Sequence, residues 1–202
     1  MPATFAQTKF PEVVLVTPKV YQDDRGFFFE SFKQSEFAAH GLEGHFVQEN
    51  YSFSVANVIR GLHFQRPPKS QLKLVRVVAG EIWDVVVDIR PKSPSFGRWH
   101  GEFLSSENCR QLYIPAGFAH GFKVVSDGAT VLYRTNAEYA PELEGGILWN
   151  DSAIDIPWQV ETPVVSERDQ NLPSFETLRA SSELDCFSIP TNGQTNSHPT
   201  TS

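Results

Sequence analysis

The stretch "RGLHFQRPPKSQLKLVRV", Arg60 to Val77, sets one imidazole among apolar neighbours and carries five cations, Arg60, Arg66, Lys69, Lys73 and Arg76. Imidazole accepts a proton near neutral pH, provided another group fixes its tautomer and orientation. His63 could therefore serve as a base, or it could be a satisfied core histidine. Its orienting partner would be a carboxylate from elsewhere in the chain, and Asp169 in "SERDQNLP" is a candidate. Arg60 and Lys73 are embedded in apolar sequence, where an unpaired charge is costly, so they are expected to face a pocket that holds anions. Arg66 and Lys69, beside Pro67 and Pro68, read as solvated strand ends. Arg25 in "DDRGFFFE" and Arg168 are further candidate pocket cations. Downstream, "VLYRTNAEYAPELEGGILWND" carries Tyr133, Tyr139, Glu144 and Trp149. A buried tyrosine can donate a proton and another can stack on a flat base, although either could simply pack at a strand rim.

These groups need a scaffold, and the apolar pattern is mostly of period two. In "EIWDVVVDIR", Ile82, Asp84, Val86 and Asp88 fall on one face and Trp83, Val85, Val87 and Ile89 on the other. "QENYSFS" alternates Gln48, Asn50, Ser52 and Ser54 with Glu49, Tyr51 and Phe53. "LKLVRVV" and "TVLYRT" are further β-rich runs, and the same parity groups His63 with Ile59, Gly61 and Gln65. Turn residues punctuate the runs at "AGE", "RPKSPSFG", "SSEN", "PAG" and "SDG". Many short, closely spaced strands predict an all-β sandwich or barrel. Two short helices are predicted, one at Ser35–His40 with Ser35 as cap and Gly41 as stop, the other near Phe175–Ala180. Residues 1–180 read as one domain with no linker. From Ser181 the chain turns rich in Ser, Thr, Asn and Pro, and 181–202 is expected to be a poorly ordered tail.

Composition narrows the partners. The chain has 202 residues, 40% of them hydrophobic, with a net charge of −7. An acidic chain does not suit nucleic acid, and its local cations therefore point to a small anion. No apolar run would span a bilayer, and the N-terminus lacks the pattern of a signal peptide. Cys109 and Cys186 form neither a metal motif nor a disulfide framework, so a reducing cytoplasm is the expected location.

The stretch "YIPAGFAHGF" presents His120 after a turn and resembles the second motif of the cupin superfamily of small β-barrels. In many cupins that histidine binds a metal with a His-x-His pair from the first motif. Here the corresponding "HFQRPP" has one histidine, so the ligand set is incomplete and no metal is expected. Taken together, "DDRGFFFE", "QENYSFS", "IRGLHFQ", "KLVRVVAGEIWDVVVDIR", "SPSFG", "IPAGFAHGF", "LYRTNAEYAPELEGGILWND" and "SERDQ" resemble the dTDP-4-dehydrorhamnose 3,5-epimerase family, a metal-free cupin branch.

The resemblance implies a jelly-roll fold, a dTDP-linked 4-keto-6-deoxy sugar as substrate, no cofactor, and a homodimer with exchanged N-terminal strands. It gives His63 as base, Asp169 as its partner, Tyr133 as proton donor, Lys73 as stabiliser of the enolate oxygen and Tyr139 as the ring that stacks on thymine. Arg25, Glu30, Gln48, Asn50, Arg60, His120, Glu144 and Arg168 are implied to hold sugar, diphosphate or base, with Arg25 and Glu30 reaching the partner's pocket. The chain departs from the family's pattern at Leu72, Arg134 and Arg168. Two other readings remain open on these residues: an epimerase that inverts a single carbon, and a non-catalytic cupin that binds a nucleotide sugar.

Overall fold

The computed structural model describes residues 3–42 and 44–187. In chain order its strands are β1 (Thr4–Gln7), β2 (Val14–Thr17), β3 (Tyr21–Asp23), β4 (Gly26–Phe28), β5 (Gln48–Val55), β6 (Ile59–Gln65) and β7 (Lys73–Ala79). They continue with β8 (Glu81–Asp88), β9 (Trp99–Ser105), β10 (Gln111–Ile114), β11 (Phe118–Val124), β12 (Gly128–Thr135) and β13 (Glu144–Gly146). The helices are short: α1 (Gln34–Ala39), α2 (Glu167–Gln170) and α3 (Phe175–Ala180).

Two antiparallel sheets face each other, one ordered β1-β2-β10-β7-β12-β5 and the other β13-β6-β11-β8-β9. A separate hairpin pairs β3 with β4. The chain crosses between the sheets at Gly80, whose φ is +77°; a Cβ there would lie 2.1 Å from the Gly128 carbonyl oxygen, so the corner needs glycine. The architecture is the two-sheet antiparallel sandwich that the strand pattern predicted, in the jelly-roll form that the resemblance implied.

Three apolar clusters follow from the alternation. Val75, Val77, Ile82, Val86, Leu112, Phe122 and Val131 fill the space between the sheets. Val85, Val87 and Ile89 point to the other face of β8, where they meet Ile147, Trp158, Phe175 and Leu178 from the C-terminal part of the chain. Because β8 is covered on both faces, Val85, Val86 and Val87 are all buried although successive residues point to opposite sides. The outer face of the first sheet is covered by Phe37 of α1 together with Leu42, Leu72 and Leu74.

Several local expectations shift. Helix α1 begins one residue early, with Lys33 in the capping position and no side-chain cap, so Ser35 does not cap it. Gly41 follows it at φ +73°, as a stop residue should. Helix α3 spans Phe175–Ala180, capped by the Ser174 hydroxyl. The stretch expected to be a tail begins instead with packed residues, since Leu184 and Phe187 are buried in the C-terminal cluster and Glu183 is paired with Arg66 at 2.7 Å. Two apolar side chains with a place to bury outweigh the polar composition around them. Arg66 is thus a tether rather than a free strand end. Residues 188–202 lie outside the described residues.

Candidate active site

A cavity of about 440 Å³ opens between the sheets, lined by His63, Lys73, Tyr133, His120, Arg60, Gln48, Asn50, Tyr139, Glu144, Arg168 and Asp169 among others. The strands explain why these residues converge. On β6 the simple parity fails: Arg60 pairs with Phe122 and His63 with His120, three residues against two. The extra residue is Gly61, at φ +113°, where a Cβ would stand 2.6 Å from Gly121 Cα. This bulge turns Arg60 and His63 to the cavity while Ile59 and Leu62 enter the core. His63 therefore does not share a face with Ile59 as alternation would have it.

His63 Nε2 lies 2.7 Å from Asp169 Oδ1. The carboxylate is the acceptor, so Nε2 carries the hydrogen and Nδ1 is left as the free acceptor. Asp169 is buried on α2. Its other oxygen accepts from the Gly61 amide at 3.1 Å, and its own amide donates to the Ser166 hydroxyl at 3.1 Å. Burial would raise the Asp169 carboxyl, but the bonds from His63 and Gly61 hold it below the usual carboxylate range. The imidazole is thus oriented by a group that stays ionised.

Tyr133 and Lys73 come from the opposite sheet. Tyr133 on β12 pairs with Asn50 on β5 and Val75 on β7. Burial raises its phenol, partly offset by a hydrogen bond with Asn50, so it stays protonated and can donate. Lys73 opens β7 on the same face as Val75; burial lowers its ammonium to about 8, with Asp84 and Glu144 pulling the other way. Its Nζ is 3.5 Å from the His63 carbonyl oxygen.

His120 stands opposite His63 on β11. Its Nε2 is 2.8 Å from Asp84 Oδ2. Asp84 is fully buried, and its Oδ1 has no hydrogen-bond partner. Sequence reasoning placed Asp84 on one face of the strand with Ile82 and Val86 without giving it a role; an acid between those two apolar residues was the available signal. Each imidazole thus engages its own carboxylate, and no group of three His, Cys, Asp or Glu among the described residues could hold a metal ion.

At the mouth, Glu144 joins two binding candidates. The Tyr139 hydroxyl donates to Glu144 Oε2 at 2.5 Å, and Arg168 meets Oε1 at 2.5 Å. Arg60 donates to the Ser54 hydroxyl at 2.9 Å. Arg134 points away from the cavity to Glu49 at 2.6 Å, and Leu72 is core, so neither departure from the family's pattern touches the cavity. Arg25 and Glu30 are not among the cavity's lining residues; Arg25 lies on the exposed hairpin, paired with Asp23. Gln65, Gln71, Ser52 and Ser166 also line the wall and were missed.

A jelly roll with an oriented imidazole facing a phenol and an ammonium across its cavity belongs to the cupin-fold isomerases. The family model for dTDP-4-dehydrorhamnose 3,5-epimerase matches residues 7–177, and the chain belongs to that family. It is 52% identical over 170 residues to the dTDP-4-dehydrorhamnose 3,5-epimerase of Shigella flexneri, covering 84% of this chain and 94% of that one. The dTDP-6-deoxy-D-glucose-3,5-epimerase of Legionella pneumophila, solved with dTDP-4-keto-L-rhamnose, superposes with a TM-score of 0.86 at 42% identity, covering 91% of this chain and 97% of that one. A 3'-monoepimerase from Streptomyces bikiniensis, solved with dTDP-quinovose, has a TM-score of 0.81 at 31% identity, covering 86% and 89%.

Proposed function

We propose that the protein converts dTDP-4-dehydro-6-deoxy-D-glucose to dTDP-4-dehydro-L-rhamnose, inverting C3 and C5 in dTDP-L-rhamnose synthesis. One observation carries the mechanism: His63, held by Asp169 at 2.7 Å on one sheet, shares a cavity with Tyr133 and Lys73 of the other. A hydrogen beside a ketone is acidic because its loss gives an enolate. His63 Nδ1 takes that proton, and the electron pair moves to the C4 oxygen. The Lys73 ammonium steadies the oxyanion. Tyr133 then delivers its hydroxyl proton to the opposite face of the same carbon, which inverts it. The phenolate and imidazolium exchange protons with solvent before the second carbon reacts. Every step is proton transfer, so the chemistry calls for no redox cofactor.

Tyr139 supplies the ring for thymine. Arg60, Arg168, Gln48, Asn50, His120 and Glu144 hold the rest of the nucleotide sugar, arginine suiting the diphosphate through its bidentate fork. The catalytic domain functions as a homodimer. Support comes from β5, an edge strand whose polar residues face the cavity while Tyr51 and Phe53 are 70% and 63% exposed. Phe27 and Phe28 on the β3–β4 hairpin are likewise exposed, and Arg25 and Glu30 complete the cavity of the second copy. A cytoplasmic setting suits two free cysteines, and no helix among the described residues is long and apolar enough to cross a membrane.

The test is product stereochemistry by NMR. Product inverted at C3 and C5 supports the double epimerase. Inversion at one carbon favours the second reading, which the likeness to a 3'-monoepimerase keeps in view. Tight dTDP-sugar binding without turnover would leave only a binding protein.

A further inference from the structure

Tyr139 sits on a segment, 136–140, that has no helix or strand of its own. Loops ordinarily move more than the elements they join. Here side chains from the barrel wall hold the backbone at four successive residues. The Ala137 carbonyl accepts from Gln71 at 3.2 Å and from the Thr135 hydroxyl at 2.8 Å. The Glu138 carbonyl accepts from Gln65 Nε2 at 3.0 Å. The Tyr139 amide donates to Gln48 Oε1 at 2.8 Å, and the Ala140 amide donates to Gln65 Oε1 at 2.9 Å.

Gln65 is the centre of this set. Its amide brackets Tyr139 from both sides, and its other N–H goes to the Lys69 carbonyl at 2.5 Å. The side chain is 4% exposed, and its three bonds use both donors and the oxygen. No other side chain of that length offers donors and an acceptor together. Gln65 also lies two residues after His63 on β6, so one strand carries the base and the anchor of the mouth ring.

We propose that Gln65 is a positioning residue: by clamping residues 138 and 140 it sets the Tyr139 ring for the nucleobase and fixes the distance from that ring to His63. The inference rests on the reading of Tyr139 as the thymine-stacking residue. Gln65 itself need not touch the substrate.

Gln65→Glu keeps the length and the acceptor but turns an oxygen toward two carbonyls; Gln65→Asn keeps the amide but falls short. Base stacking on an aromatic ring is worth about 5- to 150-fold in binding. In either variant, affinity for dTDP and 1/KM for the sugar nucleotide should fall by about that factor. Inhibition by pyrophosphate, which lacks the base, should stay unchanged, and kcat should hold within about threefold. Combined with Tyr139→Ala, the second substitution should cost nothing further. A purely structural role would weaken dTDP and pyrophosphate alike.

Should the Gln65 variants not fold, Gln71→Ala loosens the same segment at Ala137 and must show the same base-selective loss. If Tyr139→Ala leaves dTDP affinity unchanged, the stacking role and this inference both fall. If Tyr139→Ala weakens dTDP but the Gln65 loss adds to it in full, or falls equally on pyrophosphate, the inference alone is overturned.

Discussion

Replacing Lys73 by methionine should make the protein more stable and far less active. The ammonium lines the cavity with its pKa lowered from 10.5 to about 8, burial being the main cause. In the unfolded chain a lysine keeps its proton to about 10.4. Between those values the unfolded state binds more protons, so the parent's stability must rise with pH across this window. At pH 7 the depressed pKa corresponds to a charging cost of about 3 kcal/mol, falling to about 1 kcal/mol at pH 9.5. Lys73→Met removes that cost and keeps a similar volume. Urea unfolding should show the variant more stable by up to about 3 kcal/mol at pH 7, with the gap shrinking toward pH 9.5. Deuterium exchange into the substrate should fall about 10²- to 10³-fold, the usual loss when an oxyanion donor is removed. A variant no more stable than the parent, or a gap that does not change with pH, would refute the desolvated cation. Undiminished exchange would refute its role at the oxyanion.

Three further outcomes follow from the same geometry. Tyr133→Phe should let His63 remove and return a proton on one face, so that mass spectrometry finds deuterium in recovered substrate with product formation down about 10²-fold or more. Asp169→Asn should cost about 10²- to 10⁴-fold in exchange: if its oxygen keeps the Gly61 amide, its NH₂ faces His63 Nε2 and forces the wrong tautomer. Because Asp169 sits below its usual range, its stabilising contribution holds above about pH 4 and is lost only as pH falls through the lowered value; the variant's urea stability should therefore lose part of the parent's acid dependence. Gly61→Ala places a methyl against Gly121 Cα and the His120 carbonyl, at 2.6 and 2.7 Å, on backbone at φ +113°. It should destabilise by about 2–4 kcal/mol in urea or fail to fold.

The strand pattern made the barrel legible, because alternation on β8 assigns Val86 and Val85 to different cores. It misplaced His63 because a bulge is invisible to a period of two; only Gly61 hinted at it. On β5 the alternation was clear but its sense was not, since a polar face turned inward makes sense only once a cavity is there to line. The convergence of Asp169 with His63, 106 residues apart, came from resemblance and was beyond spacing. Asp84 and Gln65 went unassigned for a different reason: each acts on a group brought beside it by the fold, His120 and residues 138–140. The packed Leu184 and Phe187 were hidden by the polar residues around them.

The central claim is that the imidazole of His63 removes the protons on both sides of the ketone. The most direct measurement is NMR of the dTDP-linked 4-keto sugar incubated with parent and His63→Ala proteins in heavy water, with dTDP affinity measured alongside. The parent should place deuterium at C3 and C5, while His63→Ala binds dTDP as the parent does and leaves both carbons protonated. Exchange at the parent rate at either carbon in His63→Ala would contradict the assignment.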